Sequence, residues 1–373
     1  MLKSKIGTVE SIMLILTIMI AHTILSLPQK LLVTTKSSTI INIIYVSILA
    51  IIISYLLFKL FKNFPGLDII DISEMLGGKV FKNIVGIIFM LHFIITASIL
   101  LRNFCEYLKI IYYPMTNTIF IILTFIIAVC IANRLDFSAT LKTNLIIVPI
   151  VLFSMLFLFA ANSKNFSLQK IYPILGDGIF NTFVIGLENI ASFGGIVYLY
   201  FLPPYLKEPE KLKKIALISI GISSIYLILC VSTILFIFPA FISIDDVSPL
   251  YTATRYIEFG SFFQRLEAIF LLVWILAFAC YLSIVLKFVM NMFKKITNIT
   301  TKKPLIDIFG LLIFGISLLP KNSAISEKFE IDFYPYMVII IVFMLGLGIL
   351  ILANFKNHKS KKSLQKNNYE RIT

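Results

Sequence analysis

The chain has 373 residues, of which 59% are hydrophobic and 14% charged, and its mean hydropathy is +0.97. A chain this apolar cannot cover a water-facing surface with polar side chains, which excludes a soluble globular protein. The formal net charge of +14 suits a protein that contacts anionic lipid headgroups. The composition therefore predicts an integral membrane protein with membrane lipid as a partner.

Apolar runs long enough to cross a hydrocarbon core of about 30 Å define the predicted elements. In chain order they cover about 9–27, 40–61, 80–101, 119–132, 141–161, 179–206, 214–238, 262–290, 305–319 and 334–353. The sequence thus predicts ten transmembrane helices, of which the fourth and ninth are short. We expect one polytopic membrane domain over 1–355, followed by a basic tail over 356–373.

The distribution of basic residues predicts the orientation. Of the 33 Lys and Arg residues, 23 lie in the N-terminus, the tail and the even-numbered connections, against 9 in the odd-numbered connections. Because Lys and Arg concentrate in cytoplasmic segments, both termini are predicted in the cytoplasm. We expect the tail, which includes KNHKSKKSLQKNNYER, to face lipid headgroups rather than nucleic acid.

Sequence motifs typical of catalysis or metal binding are missing. The four cysteines show no CxxC pairing and are expected to be small buried hydrophobic residues; they are Cys105, Cys130, Cys230 and Cys280. The sequence has no phosphate-binding glycine loop, no HExxH and no GxSxG. We therefore expect no enzyme, no catalytic residue, no cofactor and no metal.

Span six has Ser192, Phe193, Gly194 and Gly195 near its middle. Glycine is a weak helix former, and non-helical backbone at membrane depth is tolerated only where it is buried in protein or lines a polar cavity. Broken helices of this kind form the ligand sites of many secondary transporters, since freed N–H and C=O groups bind charged ligands. Alternatively, the small residues only allow two helices to approach closely.

The ten spans divide into two halves of five, and an odd number gives the halves opposite orientations, as an inverted repeat requires. Span one is then the counterpart of span six. Both have a polar interruption, at Ala21, His22 and Thr23 in span one, and both end in Leu-Pro, at Pro28 and Pro203.

The order of several motifs resembles that of the B subunit of bacterial spore germinant receptors, in the amino acid–polyamine–organocation transporter superfamily. The motifs are ILSLP (24–28), LLRNFCEYLK (100–109), YPILGDGIFNTF (172–183), SFGG followed by YFLPPYL, and FQRLEAIFLLVWI (263–275). The resemblance covers about 5–355. It implies an all-α membrane fold of ten helices in a five-plus-five inverted repeat, similar to LeuT, with helices one and six broken.

The resemblance also implies a function. Subunits of this kind work with an A subunit and a lipoprotein C subunit in the inner membrane of the dormant spore, where they recognise a small nutrient, commonly an amino acid. Two alternatives stay open, because a fold does not decide between transport and sensing. One is a proton- or sodium-coupled amino acid transporter, and the other is a scaffold subunit with a vestigial pocket.

In the superfamily the ligand lies between the breaks of spans one and six, with walls from spans three, eight and ten. The corresponding residues here are Ala21, His22, Thr23, Thr96, Ser192, Phe193, Gly194, Gly195, Ala277, Cys280, Tyr281 and Val338. Unwound backbone there would bind a zwitterion without a permanent buried protein charge. Span one has no glycine at its interruption, so His22 either contacts the ligand or fills volume.

Five ionisable residues in or beside the spans need separate interpretation. Arg102 and Glu106 are one helical turn apart near the outer end of span three. Arg265 and Glu267 lie near the outer end of span eight. We expect these to be ion pairs that snorkel and anchor the helix ends at the membrane interface. Glu188 has no basic residue within a turn and is expected to line a polar path above the pocket.

Overall fold

The computed structural model is helical throughout its regular structure over the residues it describes, which are 5–23, 27–135, 137–240, 248–257, 266–299 and 303–370. Side chains are described up to residue 358. Two features that the sequence singled out, residues 24–26 near the end of the first predicted span and Arg265, lie outside these ranges.

The helices follow one another in chain order. They are α1 (Thr8–Thr23), α2 (Leu27–Thr35), α3 (Thr39–Phe61), α4 (Ile69–Tyr112), α5 (Thr118–Arg134), α6 (Phe137–Ala161), α7 (Ile179–Phe183), α8 (Leu212–Ile237), α9 (Pro249–Arg255), α10 (Leu266–Thr297), α11 (Lys303–Ser317), α12 (Ser323–Lys328), α13 (Tyr334–Val338) and α14 (Leu347–Glu370). A 3₁₀ helix over Ile185–Tyr200, called the 3₁₀ segment below, follows α7. The π-helical turns Phe329–Phe333 and Ile339–Gly346 connect α12, α13 and α14 into one helical run.

Seven helical stretches of the described chain are long and apolar enough to cross a membrane. They are Leu27–Phe61, Ile69–Tyr112, Phe137–Ala161, Ile179–Tyr200, Pro209–Ile237, Glu267–Thr297 and Ser323–His358. Shorter apolar helices cover α1 and α5. The chain is thus an all-helical membrane protein, as predicted, whereas the count of ten spans and the inverted repeat stay predictions.

The centre of the bundle is formed by α1 and the 3₁₀ segment. Almost every residue of α1 from Ser11 onward is buried, and the 3₁₀ segment is buried from Asn189 to Tyr200. These two elements pack on each other, and α1 also packs on α6, α8 and α10. The sequence-predicted counterparts, spans one and six, are therefore neighbours in the core.

The outer helices expose large apolar side chains. Ile48 on α3, Phe120 on α5 and Phe153 on α6 each have more than half of their surface exposed. Such side chains would be unfavourable against water but are well solvated by lipid tails. These helices therefore have the surface expected of the lipid-facing side of a membrane bundle.

Helix α4 corresponds to the third predicted span, but it begins at Ile69, earlier than the sequence predicted. Asp68 caps it by accepting hydrogen bonds from the backbone N–H groups of Ile70 and Asp71, in a capping box. The helix bends at Gly77 and Gly78, and Gly78 has a φ of +71°, which residues with a side chain rarely adopt. The predicted span over 80–101 is therefore only the middle of α4.

One end of the bundle is joined by ion pairs between distant segments. Lys295 at the end of α10 lies 2.5 Å from Asp68 and 2.6 Å from Asp71. Arg134 lies 2.9 Å from Asp307. All of these segments belong to the group that the charge distribution assigns to the cytoplasm, so the contacts support that grouping, while the side itself stays a prediction.

The opposite end of the bundle is closed by the loop over 162–178. Lys36 forms an ion pair of 2.6 Å with Asp177, and the hydroxyl of Ser37 donates to the carbonyl of Pro173 at 2.5 Å. These contacts enclose part of a surface cavity of about 470 Å³. Both joined segments belong to the predicted external group.

Candidate functional site

His22 lies in the last turn of α1 between two tyrosines. Its ring centroid is 5.4 Å from that of Tyr281 on α10, edge to face, and 5.7 Å from that of Tyr334 on α13, stacked. The Oη atom of Tyr334 lies 3.5 Å from Nδ1 of His22. We call His22, Tyr281 and Tyr334 the aromatic cluster; it joins three elements that are far apart in the sequence.

Ala21, His22 and Thr23 form the last turn of α1, and the next described helix, α2, begins at Leu27. The break of span one therefore stays a prediction, since residues 24–26 lie outside the described ranges. The hydroxyl of Thr23 donates to the carbonyl of Met19 at 3.1 Å, one turn back. This segment has no glycine, so nothing in it favours unwinding.

The glycine pair of span six allows close packing. A Cβ atom at Gly194 would lie 2.8 Å from Oη of Tyr334 and 3.2 Å from Val338, and one at Gly195 would lie 2.9 Å from Met19. These distances are shorter than ordinary contacts between side chains. The glycines therefore let the 3₁₀ segment approach α13 on one side and α1 on the other.

The backbone before the glycine pair has 3₁₀ geometry with a kink. The chain keeps 3₁₀ geometry from Ile185 to Tyr200, and only Phe193 departs from helical values, with φ of −97° and ψ of 20°. This kink lies inside the stretch from Ser192 to Gly195 where the sequence predicted a break, and an open break with free backbone groups stays a prediction.

Several buried polar side chains of α4 and the 3₁₀ segment have atoms without a hydrogen-bond partner among the described residues, and three of these belong to the predicted pocket or lie near His22. They are Nδ1 of His92, Oγ1 of Thr96 and Oγ of Ser192. His92 is close enough to His22 to interact with it electrostatically, and Thr96 lies one turn beyond His92 on the same face of α4. Buried polar atoms normally have partners, so these three are candidates for ligand contacts.

The remaining predicted pocket residues all lie in the interior of the bundle. They are Ala21, Thr23, Phe193, Gly195, Ala277 and Cys280. Ala277 lies four residues before Tyr281 and three before Cys280 on α10, so it neighbours both side chains on the helix surface. Of the predicted set, the structure brings His22, Gly194, Tyr281 and Val338 together around Tyr334.

Tyr334 itself was missed from the sequence. It lies one turn before Val338 on the same face of α13, which is the spacing that could have identified it. A tyrosine at the first position of a predicted span is more typical of the membrane interface, however. Only the packing of α13 against the 3₁₀ segment reveals its position.

Lys30 was also missed, because the sequence placed it in an external connection. The structure instead forms α2, which packs on the 3₁₀ segment. Lys30 is only 3% exposed, and its Nζ atom lies 5.8 Å from the ring centroid of Tyr334. Among the described residues, no carboxylate lies within the 4.0 Å ion-pair distance of its amine.

Glu188 lies beside Lys30 in space, although it has no basic neighbour in the sequence. The hydroxyl of Thr34, one turn after Lys30 on α2, lies 3.1 Å from the carboxylate of Glu188 and is oriented to donate to it. Lys30 interacts electrostatically with Glu188, Glu330 and Asp332. The structure thus brings a distant basic residue near Glu188, while its role in a polar path above the pocket stays a prediction.

The ion pair between Arg102 and Glu106 forms as predicted, with a distance of 2.8 Å, but it is not at an interface. Both side chains are about nine-tenths buried. The pair is buried because α12 packs over this end of α4. The chain then continues to Glu330, whose carboxylate accepts a hydrogen bond from the side-chain amide of Asn103. The snorkelling interpretation is therefore wrong for this pair. Glu267 lies in the first turn of α10, and its predicted partner Arg265 lies outside the described residues.

The described part of the chain holds no group of three or more His, Cys, Asp and Glu residues that could bind a metal ion. All four cysteines are free. Three of them are buried, whereas Cys130 is partly exposed, unlike the expectation from sequence.

Comparison with known proteins places this bundle in a family. The family model described as "Spore germination protein" matches residues 5–325. Spore germination protein YndE of Bacillus subtilis (strain 168) is 25% identical over 373 residues, covering 96% of this chain and 99% of the relative. Spore germination protein A2 of the same organism is 27% identical over 372 residues, covering 96% and 98%. Spore germination protein B2, also from that organism, is 22% identical over 224 residues, which are 60% of each chain. This all-helical membrane protein belongs to the spore germination protein family.

Proposed function

We propose that the chain is the nutrient-sensing membrane subunit of a spore germinant receptor and that it binds a small nutrient of the amino acid class. The site lies in the membrane interior between α1, α4, the 3₁₀ segment, α10 and α13. The chain acts together with A-type and C-type receptor subunits in the inner membrane of the spore, with both termini in the cytoplasm. It has no catalytic step.

The observation that supports this site most directly is the aromatic cluster with the unpartnered polar atoms in the same interior. Buried hydroxyl and imidazole groups without partners are unfavourable, at about 1–3 kcal/mol each. A polar ligand would provide partners for Thr96, Ser192 and His92. The rings of the aromatic cluster would offer apolar contact to its remaining atoms.

The test is direct binding to the purified full-length chain in lipid nanodiscs. The probes are the twenty standard L-amino acids, each added singly, with the thermal stability of the chain as the readout, because a ligand that binds only the folded state raises the melting temperature. Thr96→Leu places two apolar methyl groups in the proposed site. Thr124→Leu makes the same change at an exposed position of α5 and is the matched control.

We expect at least one amino acid to raise the melting temperature of the unaltered chain and of Thr124→Leu. The same amino acid should not raise that of Thr96→Leu. If no amino acid stabilises the unaltered chain, the sensing proposal fails and a scaffold role is favoured. Uptake of the labelled amino acid into vesicles that contain only this chain would show a transporter instead. Equal binding by both threonine variants would place the site elsewhere.

A further inference from the structure

We propose that Lys30 and Glu188 form the charged end of the ligand site, where Lys30 binds the carboxylate and Glu188 the ammonium group of a zwitterionic α-amino acid. This inference rests on the proposed function and assigns to two side chains the recognition that the sequence suggested for unwound backbone.

Lys30 is the more informative of the two residues because it is an amine buried inside a membrane protein. Its side chain is almost fully enclosed, and no described carboxylate lies within ion-pair distance of it. A buried charge without a close partner is unfavourable, and ionisable residues within membrane bundles usually mark substrate or ion sites. The missing counter-charge is what a ligand carboxylate would supply.

Three carboxylates, those of Glu188, Glu330 and Asp332, are near enough to interact with Lys30. Glu330 already accepts a hydrogen bond from Asn103, and Asp332 is exposed. Glu188 is positioned by Thr34, which lies one turn from Lys30 on α2. This hydrogen bond fixes the carboxylate near the amine without an ion pair between them.

The opposite charges of Lys30 and Glu188 suit a zwitterion better than a simple anion. A lone carboxylate ligand would be repelled by Glu188 as well as attracted by Lys30. In an α-amino acid, the ammonium and carboxylate groups are attached to the same carbon atom, so one small molecule can insert between the two protein charges. Each of its charges then meets an opposite one.

Tyr334 connects this charged end with the aromatic cluster. One side of its ring faces the amine of Lys30, and the ring also stacks on His22. A ligand held at its charged groups by Lys30 and Glu188 would therefore extend its own side chain along Tyr334. In this arrangement the backbone of the 3₁₀ segment is not needed as a donor.

The test uses the purified full-length chain in nanodiscs and compares three variants with the unaltered chain. Lys30→Met removes the charge and keeps the length, Lys30→Arg keeps the charge, and Glu188→Gln removes the acid while keeping its shape. The probes are the L-amino acids that bind the unaltered chain, their amides, which lack the carboxylate, and the corresponding acids, which lack the amine.

We expect Lys30→Met to weaken amino acid binding by about tenfold or more, as loss of a charged hydrogen bond does, and to leave binding of the amide unchanged. Lys30→Arg should bind the amino acid within a few-fold of the unaltered chain. Glu188→Gln should weaken binding of the amino acid but not of the acid without an amine. Lys30→Met should also melt at least as high as the unaltered chain, because it removes an unpaired buried charge.

Two results would overturn the assignment while leaving the proposed function intact. One is equal amino acid affinity in Lys30→Met and the unaltered chain. The other is a lower melting temperature in Lys30→Met with equal losses for the amino acid and its amide, which is the result of a structural lysine. If Lys30→Met does not fold, Lys30→Arg and Glu188→Gln decide in the same way. Failure of every amino acid to bind the unaltered chain would remove the proposed function as well.

Discussion

The ring of Tyr334 stacks on that of His22 with centroids 5.7 Å apart, and its Oη atom lies 3.5 Å from Nδ1 of the imidazole. This contact connects the start of α13 with the last turn of α1. It also places the tyrosine hydroxyl against Gly194, where a Cβ atom would lie 2.8 Å away. This side chain of α13 thus contacts two of the other elements around the proposed site, α1 and the 3₁₀ segment.

Changes at His22 and Tyr334 should have unequal effects. Tyr334→Phe keeps the ring and loses only a long hydrogen bond, so we expect a loss of less than about 1 kcal/mol. His22→Ala removes two ring contacts and should cost about 1–3 kcal/mol. Thermal unfolding in detergent measures both, and a larger loss in Tyr334→Phe than in His22→Ala would contradict the stacked arrangement.

Gly194→Ala should destabilise the chain through crowding and not through helix propensity. The added methyl meets Tyr334, so a cost of about 1–3 kcal/mol is expected. The double variant with Tyr334→Phe removes the crowded oxygen and should recover part of that loss, which a double-mutant cycle in thermal unfolding detects.

Gly221→Ala on α8 is the matched control for the glycine substitution. A Cβ atom there has nothing within 4 Å, so it should stabilise the helix by up to about 1 kcal/mol. If Gly194→Ala behaved like this control, close packing would not explain the glycine.

Loss of one partner of the buried Arg102–Glu106 pair should destabilise the protein more than loss of both partners. Glu106→Gln leaves the buried guanidinium without its counter-charge, which typically costs about 3–5 kcal/mol. Replacing both residues, by Arg102→Met with Glu106→Gln, removes the unpaired charge and should restore much of the stability. An interfacial pair would give changes of less than about 1 kcal/mol in either variant, and thermal unfolding distinguishes the two cases.

The orientation can be tested by cysteine labelling with a membrane-impermeant thiol reagent on intact cells. Ser163→Cys lies on an exposed turn of the predicted external loop, and Glu208→Cys lies on an exposed turn of the predicted cytoplasmic group. We expect Ser163→Cys to react directly and Glu208→Cys only after permeabilisation. Because Cys130 is partly exposed, the unaltered chain is the control. The reverse pattern would invert the orientation.

The sequence by itself determined the class of the protein. Long apolar runs require a membrane and a helix, because each backbone group in lipid must find its partner within its own segment. The motifs from ILSLP to FQRLEAIFLLVWI indicated the family that the family model then matched. Both kinds of signal are local, since hydropathy and motif order are properties of consecutive residues.

Tertiary structure decided the positions that give the candidate site its chemistry. Arg102 and Glu106 had the spacing of an ion pair, but their burial depends on α12, which lies more than two hundred residues further along the chain. The sequence placed Lys30 in an exposed connection, whereas the packing of α2 on the 3₁₀ segment buries it. The spacing of residues along a helix determines which face of that helix a side chain occupies. Only the packing of distant helices determines whether that face contacts lipid, water or protein. The same packing therefore determines whether a charged side chain is solvated or buried without a close partner.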